Sequence, residues 1–272
     1  MVVNIICSYN ELRYLPKVVQ YYHNEGIEVY VADNYSVDGT WEWLNDNRIP
    51  CERFDTDGCF DLVAQQKLRL KLIDKFPAAE WIIYGDADEF IVSTGKLLDI
   101  FTRSSIANAN LLRAPSLNLK NTGESIKSDP TRNYFYYETR KYSNEIIRVH
   151  RNSPGVRYGA EMGSNAGDLI TFSGTEVKTD SVWSSADVIY DIGDTFILNY
   201  GATKSVRHRT DLLKRRQKAW KRNLLPENFG SHLTRGKKAN WKWDKSDLVD
   251  IRNHPLFPAM QDKILPLSGR RR

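Results

Sequence analysis

The sequence has no apolar run long enough to cross a membrane, and it has only three cysteines. No stretch of about 18 consecutive apolar residues occurs, so no membrane-spanning helix is predicted. Residues 1–7 lack the charged start and small-residue cleavage site of a signal peptide. The number of cysteines is odd, and their spacing is not that of metal ligands: they are Cys7, Cys51 and Cys59. These absences predict a cytoplasmic protein without a disulfide framework.

Two common phosphate-binding motifs are also absent. No G-x-G-x-x-G follows the first apolar run, and no G-x-x-x-x-G-K-[ST] occurs anywhere in the chain. Their absence argues against a dinucleotide-dependent oxidoreductase and against a P-loop nucleoside triphosphatase. No internal repeat or low-complexity segment interrupts the chain, whose composition is that of an ordinary globular protein.

The charge of the chain is unevenly distributed. Residues 205–272 contain 18 Lys/Arg and 6 Asp/Glu, a net charge of +12. Residues 1–204 contain 21 Lys/Arg and 28 Asp/Glu, a net charge of −7. An acidic body followed by a basic tail predicts two separate tasks, and the tail is expected to meet something anionic.

Strand and helix patterns alternate through the first 95 residues. Short apolar runs predict strands at residues 2–7, 29–32, 52–54 and 81–84. Apolar residues at helical spacing predict helices at residues 11–24, 40–47 and 61–76. This alternation is typical of a parallel sheet covered by helices. The alternation decays beyond residue 95, where strands are predicted at residues 111–119, 134–137, 146–149 and 195–200, and a basic helix at residues 211–223.

Three polar loops follow predicted strands: residues 7–11 (C-S-Y-N-E), 33–40 (D-N-Y-S-V-D-G-T) and 86–89 (D-A-D-E). Parallel sheets bind ligands at the carboxyl ends of their strands, so these loops are expected to meet at one edge. In an extended segment Asp86 and Asp88 point to the same side. Carboxylate oxygens suit Mn²⁺ or Mg²⁺ and leave positions for phosphate oxygens. The sequence therefore predicts a metal-held diphosphate, unless Asp88 and Glu89 merely cap the next turn.

The three loops resemble those of the GT-A glycosyltransferases, close to the family-2 group. Residues 33–40 stand where that family has D-D-G-S-T-D-G-T, with Asn34 in place of the second Asp. The stretch E-W-I-I-Y-G-D-A-D-E-F resembles the strand that ends in the family's metal-binding D-x-D. Y-G-A-T-K-S at residues 200–205 resembles the H-Y-x-x-K-S of a D-x-D-E-F subgroup, with Tyr200 in the place of its His. The resemblance covers residues 1–95 and parts of 196–217.

The resemblance implies an α/β protein with the GT-A fold, in which a mainly parallel central sheet is flanked by helices. Residues 1–204 would be the catalytic domain, with a nucleotide-binding half (1–95) and an acceptor half (96–204), and residues 205–272 a basic, mainly helical extension. The implied activity is metal-dependent transfer of a sugar from a nucleotide-diphosphate sugar, most often a UDP-sugar. The acceptor would be a glycan, a lipid-linked glycan or another hydroxyl compound.

The resemblance also implies roles for individual residues. Tyr9 would stack on the base, and Asp88 would bind Mn²⁺ or Mg²⁺ together with Asp86. The implied nucleotide-sugar-binding residues are Ser8, Tyr9, Glu11, Asp33, Asn34, Gln66, Asp86 and Lys204. Tyr200 leaves the third protein ligand of the metal unassigned. Asp38 is expected to cap the helix at Thr40 rather than to touch ligand.

An inverting transferase needs a base that takes the proton of the acceptor hydroxyl. The acids available for this role in the acceptor half are Glu161, Asp180, Asp187, Asp191 and Asp194. We favour Glu161, because Gly159 and Gly163 flank it and would let a substrate approach the backbone closely. Asp191 is the second choice.

Other interpretations stay open at this level. The basic helix at residues 211–223 would bind an anionic membrane surface, bind an anionic acceptor, or pack on the catalytic domain with its basic face in solvent. A nucleotidyltransferase uses similar sheets and acidic sites, although residues 7–11 lack the glycines of its phosphate loop. A non-catalytic nucleotide-sugar-binding protein is a further alternative. A nucleic-acid-binding protein is disfavoured by the acidic body and by the absence of a recognised motif.

Overall fold

A computed structural model describes the protein at residues 1–109, 111–120, 136–138, 145–152, 157–158, 169–173, 176–180, 189–191, 195–199, 206–224, 248–250, 253–255 and 258. Glu161, Tyr200 and Lys204 lie outside the described residues, as do Asp187 and Asp194.

The described residues form five helices and fourteen strands. The helices are α1 (Leu15–Asn24), α2 (Thr40–Asp46), α3 (Leu62–Ile73), α4 (Leu97–Ile106) and α5 (Val206–Lys221). The first five strands are β1 (Val2–Ser8), β2 (Glu28–Asp33), β3 (Cys51–Arg53), β4 (Trp81–Ile83) and β5 (Glu89–Ser93). The later strands are β6 (Leu111–Lys120), β7 (Tyr136–Glu138), β8 (Glu145–Arg151), β9 (Arg157–Tyr158), β10 (Leu169–Ser173), β11 (Glu176–Asp180), β12 (Ile189–Asp191), β13 (Thr195–Asn199) and β14 (Leu248–Asp250). In this part of the chain no helix combines the length and apolar character needed to cross a membrane.

A parallel sheet of four strands, in the order β4-β1-β2-β3, forms the centre of the first half. Alternate residues of its strands point to opposite faces, and both faces are buried. On one face, Val2 and Ile6 pack in a cluster with apolar residues of α1, α2 and α4. On the other face, Val3 and Ile5 pack with residues of α3 such as Leu72. Burial of both faces explains why the strands read as continuous apolar runs.

The rest of the sheet is mixed. β4 pairs antiparallel with β8, and β8 pairs antiparallel with β6. β12 and β13 pair parallel with β6, and β13 also pairs antiparallel with β5. The predicted parallel sheet flanked by helices is thus confirmed for four strands. Strands that follow without an intervening helix can return directly as antiparallel neighbours, which explains the change beyond residue 95.

Several element boundaries differ from the prediction. α1 begins at Leu15 rather than at residue 11, because the Glu11 carbonyl accepts bonds from the N–H groups of Tyr14 and Leu15 and closes a turn ahead of the helix. α3 begins after Asp61, whose carboxylate accepts a bond of 2.8 Å from the Ala64 N–H. α4 was not predicted, although Leu97, Ile100 and its other buried residues have helical spacing.

Candidate functional site

The three polar loops meet at the carboxyl edge of the parallel sheet, here called the rim. Ser8, the last residue of β1, is in register with Asp33, the last residue of β2. The Asn34 N–H donates to the Ser8 carbonyl at 2.8 Å, which continues this pairing past the strand ends. Cys7 forms an isolated parallel bridge with Asp86, so the third loop lies on the other side of β1. The predicted convergence of the loops is therefore confirmed.

The loops after β1 and β2 are joined by side chain–backbone hydrogen bonds. The Asn10 N–H donates to Ser36 Oγ at 2.8 Å, and the Val37 N–H donates to Asn10 Oδ1 at 2.8 Å. The Glu11 N–H, in a buried position, donates to Thr40 Oγ1 at 3.1 Å. These bonds hold both loops in one arrangement.

Asp38 has the structural role that the sequence predicts. Its Oδ1 accepts bonds from the Thr40 N–H and hydroxyl, at the first residue of α2. Its Oδ2 accepts a bond of 3.1 Å from the Leu12 N–H, which also ties the two loops together. Both carboxylate oxygens thus serve the protein's own backbone and helix start.

Asp33 and Ser8 present buried oxygens at the rim. Asp33 is fully buried, and its Oδ2 accepts a bond of 3.0 Å from the Ser36 N–H and lies 3.6 Å from Arg53 Nη1. Among the described residues, Asp33 Oδ1 and Ser8 Oγ are buried without a hydrogen-bond partner. Burial raises the pKa of Asp33, while the Ser36 bonds and Arg53 oppose that rise. Unsatisfied buried oxygens are costly, so this pair marks a place where a ligand hydroxyl or N–H group would be stabilised.

Residues 86–89, the acidic turn, are not extended as the sequence analysis assumed. The Asp86 carbonyl accepts a bond of 3.0 Å from the Glu89 N–H, which closes a tight turn before β5. The i, i+2 argument for Asp86 and Asp88 is therefore wrong, because it holds for a strand and not for a turn. The side chain of Asp86 is 48% exposed, whereas Asp88 is 9% exposed.

Arg69 is a site residue that the sequence analysis missed. Its Nη2 donates to the Gly85 carbonyl at 3.1 Å and to Asp86 Oδ1 at 3.1 Å. The arginine is buried, and it lies on α3 three residues before Leu72, which is part of the core. An arginine on the apolar face of a predicted helix, close to a predicted acidic loop, is the signal that would have found it.

The acidic turn is supported from below by Asn4 in the middle of β1. Asn4 is fully buried, and its Oδ1 accepts a bond of 3.1 Å from the Gly85 N–H. A Cβ atom on Gly85 would lie 2.7 Å from Asn4 Oδ1. Glycine at this position therefore lets the turn approach the sheet closely.

α5 packs against the rim through a loop of residues 55–61, here called the bridging loop. The Arg215 side chain donates from Nη2 to the Cys59 carbonyl at 2.9 Å, and the Phe60 N–H donates to the Arg215 carbonyl at 3.2 Å. The Arg215 guanidinium carbon lies 3.5 Å from the centre of the Tyr9 ring. One face of Tyr9, the residue predicted to stack on a base, is thus covered by a cation.

The bridging loop also reaches the loop after β2. Asn34 Nδ2 donates to Thr56 Oγ1 at 2.8 Å, and the Thr56 hydroxyl donates to the Cys59 carbonyl at 2.7 Å. The amide nitrogen of Asn34, predicted to bind base or ribose, is therefore engaged in holding the loops together. The remote end of α5 is attached through Asp57, whose carboxylate pairs with Lys218 and Arg222.

Arg216, next to Arg215 on α5, is partly buried against the bridging loop. Its guanidinium carbon lies 4.8 Å from the centre of the Phe60 ring. Burial lowers the pKa of Arg216, and the negative charges of Asp86 and Asp88 oppose this shift. The basic helix thus packs on the body, as one of the three interpretations predicted, but two of its arginines face the rim rather than solvent.

The remaining predicted residues occupy several parts of the fold. Glu11 is buried beside Thr40, and Gln66 lies in α3. Asp191 is the last residue of β12, in register with Arg113 of β6. Within the described part of the chain, no group of three or more His, Cys, Asp or Glu side chains is arranged to hold a metal ion.

Comparison with known proteins identifies no family for the chain. No protein-family model matches it, and no curated protein matches it. Solved structures with similarity to parts of the chain include two transferases. A protein named as a glucose-1-phosphate thymidylyltransferase from Bacillus anthracis, solved with sucrose, has a TM-score of 0.30 and 11% identity, over 56% of this chain and 65% of that chain. The apo form of the glycosyltransferase GlyE from Streptococcus pneumoniae TIGR4 has a TM-score of 0.26 and 18% identity, over 41% of this chain and 28% of that chain.

The chain therefore spans less than two thirds of the length of either protein. Likenesses this distant carry no argument about activity.

Proposed function

We propose that the protein is a glycosyltransferase that takes a sugar from a nucleotide-diphosphate sugar and transfers it to a hydroxyl acceptor. The observation that carries the proposal is the rim, where three loops meet and where Ser8 Oγ and Asp33 Oδ1 are buried without a partner among the described residues. Nucleotides bind at this edge of parallel sheets because strand ends and loop backbones converge there. A UDP-sugar is the first donor to test.

The nucleoside would occupy the space bordered by Tyr9, Ser8 and Asp33. The ring face of Tyr9 opposite Arg215 would stack on the base, and Arg215 would hold the ring in place. Hydroxyl groups of the ribose would satisfy the buried oxygens of Ser8 and Asp33. The bonds that join the loops after β1 and β2 would keep these groups in position before the donor binds.

Asp86 and Asp88 fit a hard divalent cation in the chemistry of their donor atoms, since both supply carboxylate oxygens at one turn. They would hold Mn²⁺ or Mg²⁺, which would neutralise the charge that develops on the diphosphate when the sugar leaves. Arg69 would hold the Asp86 side chain in place through its bond to Oδ1.

The acceptor hydroxyl must lose a proton during transfer. Glu161 stays our first candidate for the base and Asp191 the second. Glu161→Gln should lower transfer about 10²–10⁴-fold with donor affinity nearly unchanged. Near-normal turnover in that variant would move the role to Asp191 or another acid.

A panel of nucleotide sugars tests the proposal. The purified chain would be incubated with each donor and Mn²⁺, with and without added pyrophosphate, and the nucleotide products separated. Release of nucleoside diphosphate supports a glycosyltransferase. Consumption of the added pyrophosphate, with formation of nucleoside triphosphate and sugar phosphate, would instead identify a nucleotidyltransferase. Absence of both turnover and thermal stabilisation by every donor would contradict the proposal.

Asp88→Asn tests the acidic turn within the same assay. We expect donor affinity in the presence of Mn²⁺ to fall about tenfold or more, because a charged ligand of the cation is lost. Asp46→Asn is the matched control, since Asp46 is exposed at the end of α2. Equal affinity with Mn²⁺ and with a chelator in the wild-type protein would remove the metal from the proposal.

A further inference from the structure

Two adjacent arginines of α5 face the rim, but their surroundings differ. Arg215 is committed to the protein itself, because its Nη2 bonds to the Cys59 carbonyl and its guanidinium covers Tyr9. Arg215 is 6% exposed, and these contacts link α5 to the loops. In the part of the chain that the structure describes, the neighbouring Arg216 forms no such hydrogen bond.

The Arg216 side chain is oriented by a ring contact and not by a hydrogen bond among the described residues. Its guanidinium lies against the Phe60 ring, at 4.8 Å from the ring centre, and this contact restricts the side chain. Arg216 Nε is buried, and its N–H group has no hydrogen-bond acceptor among the described residues. The charges of Asp86 and Asp88 act on Arg216, yet no ion pair joins it to either acid within the described residues. Arg216 is thus a partly buried cation that is subject to the charges of two acids and forms no ion pair with either of them among the described residues.

We propose that Arg216 binds the diphosphate of the nucleotide substrate. This inference rests on the function proposed above and deepens it by assigning the group that recognises the phosphates. A guanidinium offers a planar set of N–H donors that matches two phosphate oxygens at once. A diphosphate placed between Arg216 and the acidic turn would give the arginine the acceptors that it lacks.

If Arg216 binds the phosphates, α5 should contribute to the binding of nucleoside diphosphates more than to the binding of nucleosides. The nucleoside would contact Tyr9, Ser8 and Asp33, whereas the phosphates would contact Arg216. The affinity for nucleoside and for nucleoside diphosphate should therefore respond differently to changes in α5. A purely structural role for Arg216 would instead lower both affinities together.

The experiment compares the binding of nucleosides and nucleoside diphosphates by the full chain. The probes are the pairs uridine and UDP, thymidine and dTDP, guanosine and GDP, and adenosine and ADP, each with Mn²⁺ and with EDTA. The variants are Arg216→Gln, which removes the charge, and Arg216→Lys, which keeps it. Lys214→Gln is the control, because it removes the same charge from an exposed position on the same helix. Thermal midpoints establish that each variant is folded.

For the pair that the wild-type protein binds best, Arg216→Gln should weaken diphosphate binding about 10- to 100-fold, the range for bonds to a charged group. Nucleoside binding should change less than about twofold, Arg216→Lys should be intermediate, and Lys214→Gln should resemble the wild type. Equal diphosphate affinity in Arg216→Gln and Lys214→Gln would overturn the assignment, as would a parallel loss of nucleoside affinity. If the wild-type protein binds none of the probes, the proposed function falls, and the assignment with it.

Discussion

The two sides of the rim are held together by different forces. The loops after β1 and β2 are joined largely through neutral groups, such as the Ser36 hydroxyl with the Asn10 N–H and the Thr40 hydroxyl with the Glu11 N–H. The outer end of α5 is held to the bridging loop by charges, through the pairing of Asp57 with Lys218 and Arg222. These two bonds of the loops are half-buried and buried, whereas the side chain of Asp57 is 72% exposed.

We call the loops after β1 and β2 the fixed wall of the rim, because buried bonds join them. The outer end of α5 is the adjustable wall, because exposed ion pairs hold it. Buried neutral bonds are costly to break, because each leaves a donor without a partner. Exposed ion pairs contribute little and are screened by salt. The nucleoside side of the rim should therefore be nearly constant across solution conditions, while the attachment of the outer end of α5 should depend on pH and ionic strength.

The largest effect is expected at Gly85, which tests whether the fixed wall extends beneath the acidic turn. In Gly85→Ala, the new methyl group would lie 2.7 Å from the buried Asn4 Oδ1, so we expect a loss of unfolding free energy. Overpacking of this kind costs about 2–3 kcal/mol. Urea denaturation measures the loss, with Gly95→Ala as the control, because no heavy atom lies within 4 Å of a Cβ at that glycine. Equal losses in the two variants would show that the contact with Asn4 is not the cause.

A smaller effect is expected at Thr40, within the fixed wall. Thr40→Val removes the hydroxyl that accepts the buried Glu11 N–H, and it should lower the unfolding free energy by about 1–2 kcal/mol. Thr102→Val makes the same change at an exposed hydroxyl on α4 and should stay within about 0.5 kcal/mol of the wild type. If ionic strength substantially altered the loss of unfolding free energy in Thr40→Val, the fixed wall would depend on charge as the adjustable wall does, and the comparison would fail.

The smallest effect is expected at Asp57, in the adjustable wall. The hydrogen bond and charge of Arg222, followed by the charge of Lys218, lower the pKa of Asp57 below 3.8. A carboxyl whose folded pKa is depressed stabilises the protein above its unfolded pKa, and this contribution is lost as the pH falls through the folded value. The thermal midpoint of the wild-type protein should therefore approach that of Asp57→Asn as the pH falls from 6 to 3.

Asparagine is the suitable replacement at position 57, because the backbone there has a φ of 50° and asparagine tolerates the left-handed region. Added NaCl at pH 7 should also reduce the difference between the wild type and Asp57→Asn. A difference that is unchanged between pH 6 and pH 3 would rule out the ion pairs as the attachment of α5.

Residues 1–85 could be predicted closely from the sequence because their structure is determined by local patterns, whereas β5 (Glu89–Ser93) was not predicted. Apolar runs such as residues 2–7 and 81–84 become strands buried on both faces, and the loops that follow them meet because parallel strands end at one edge. Polar residues with a local task, such as Asp38 at the start of α2, were also predictable.

The contacts that complete the site could not be predicted, because they join distant parts of the chain. Arg69 meets Asp86 through the packing of α3, and Arg215 meets Tyr9 through the packing of α5. The position of Arg69 on the apolar face of α3 sets it apart from a solvated basic residue, whereas Arg215 does not differ in sequence from such a residue, and neither position identifies its partner. The turn at residues 86–89 was read as extended because an apolar strand precedes it, and its Asp86–Glu89 hydrogen bond has no sequence signature in D-A-D-E.

The separation of Arg215 from its partner also sets an order of assembly during synthesis. Arg215 and Cys59 are 156 residues apart, and the bond between them closes the wall of the rim formed by α5. At about 5–20 residues per second, the ribosome needs roughly 8–30 s to add that length of chain. The parallel sheet can form during this interval, because its four strands lie within residues 1–83. For that time the nascent protein has the nucleoside side of the rim without Arg215 and Arg216, so the rim is completed only after α5 has emerged.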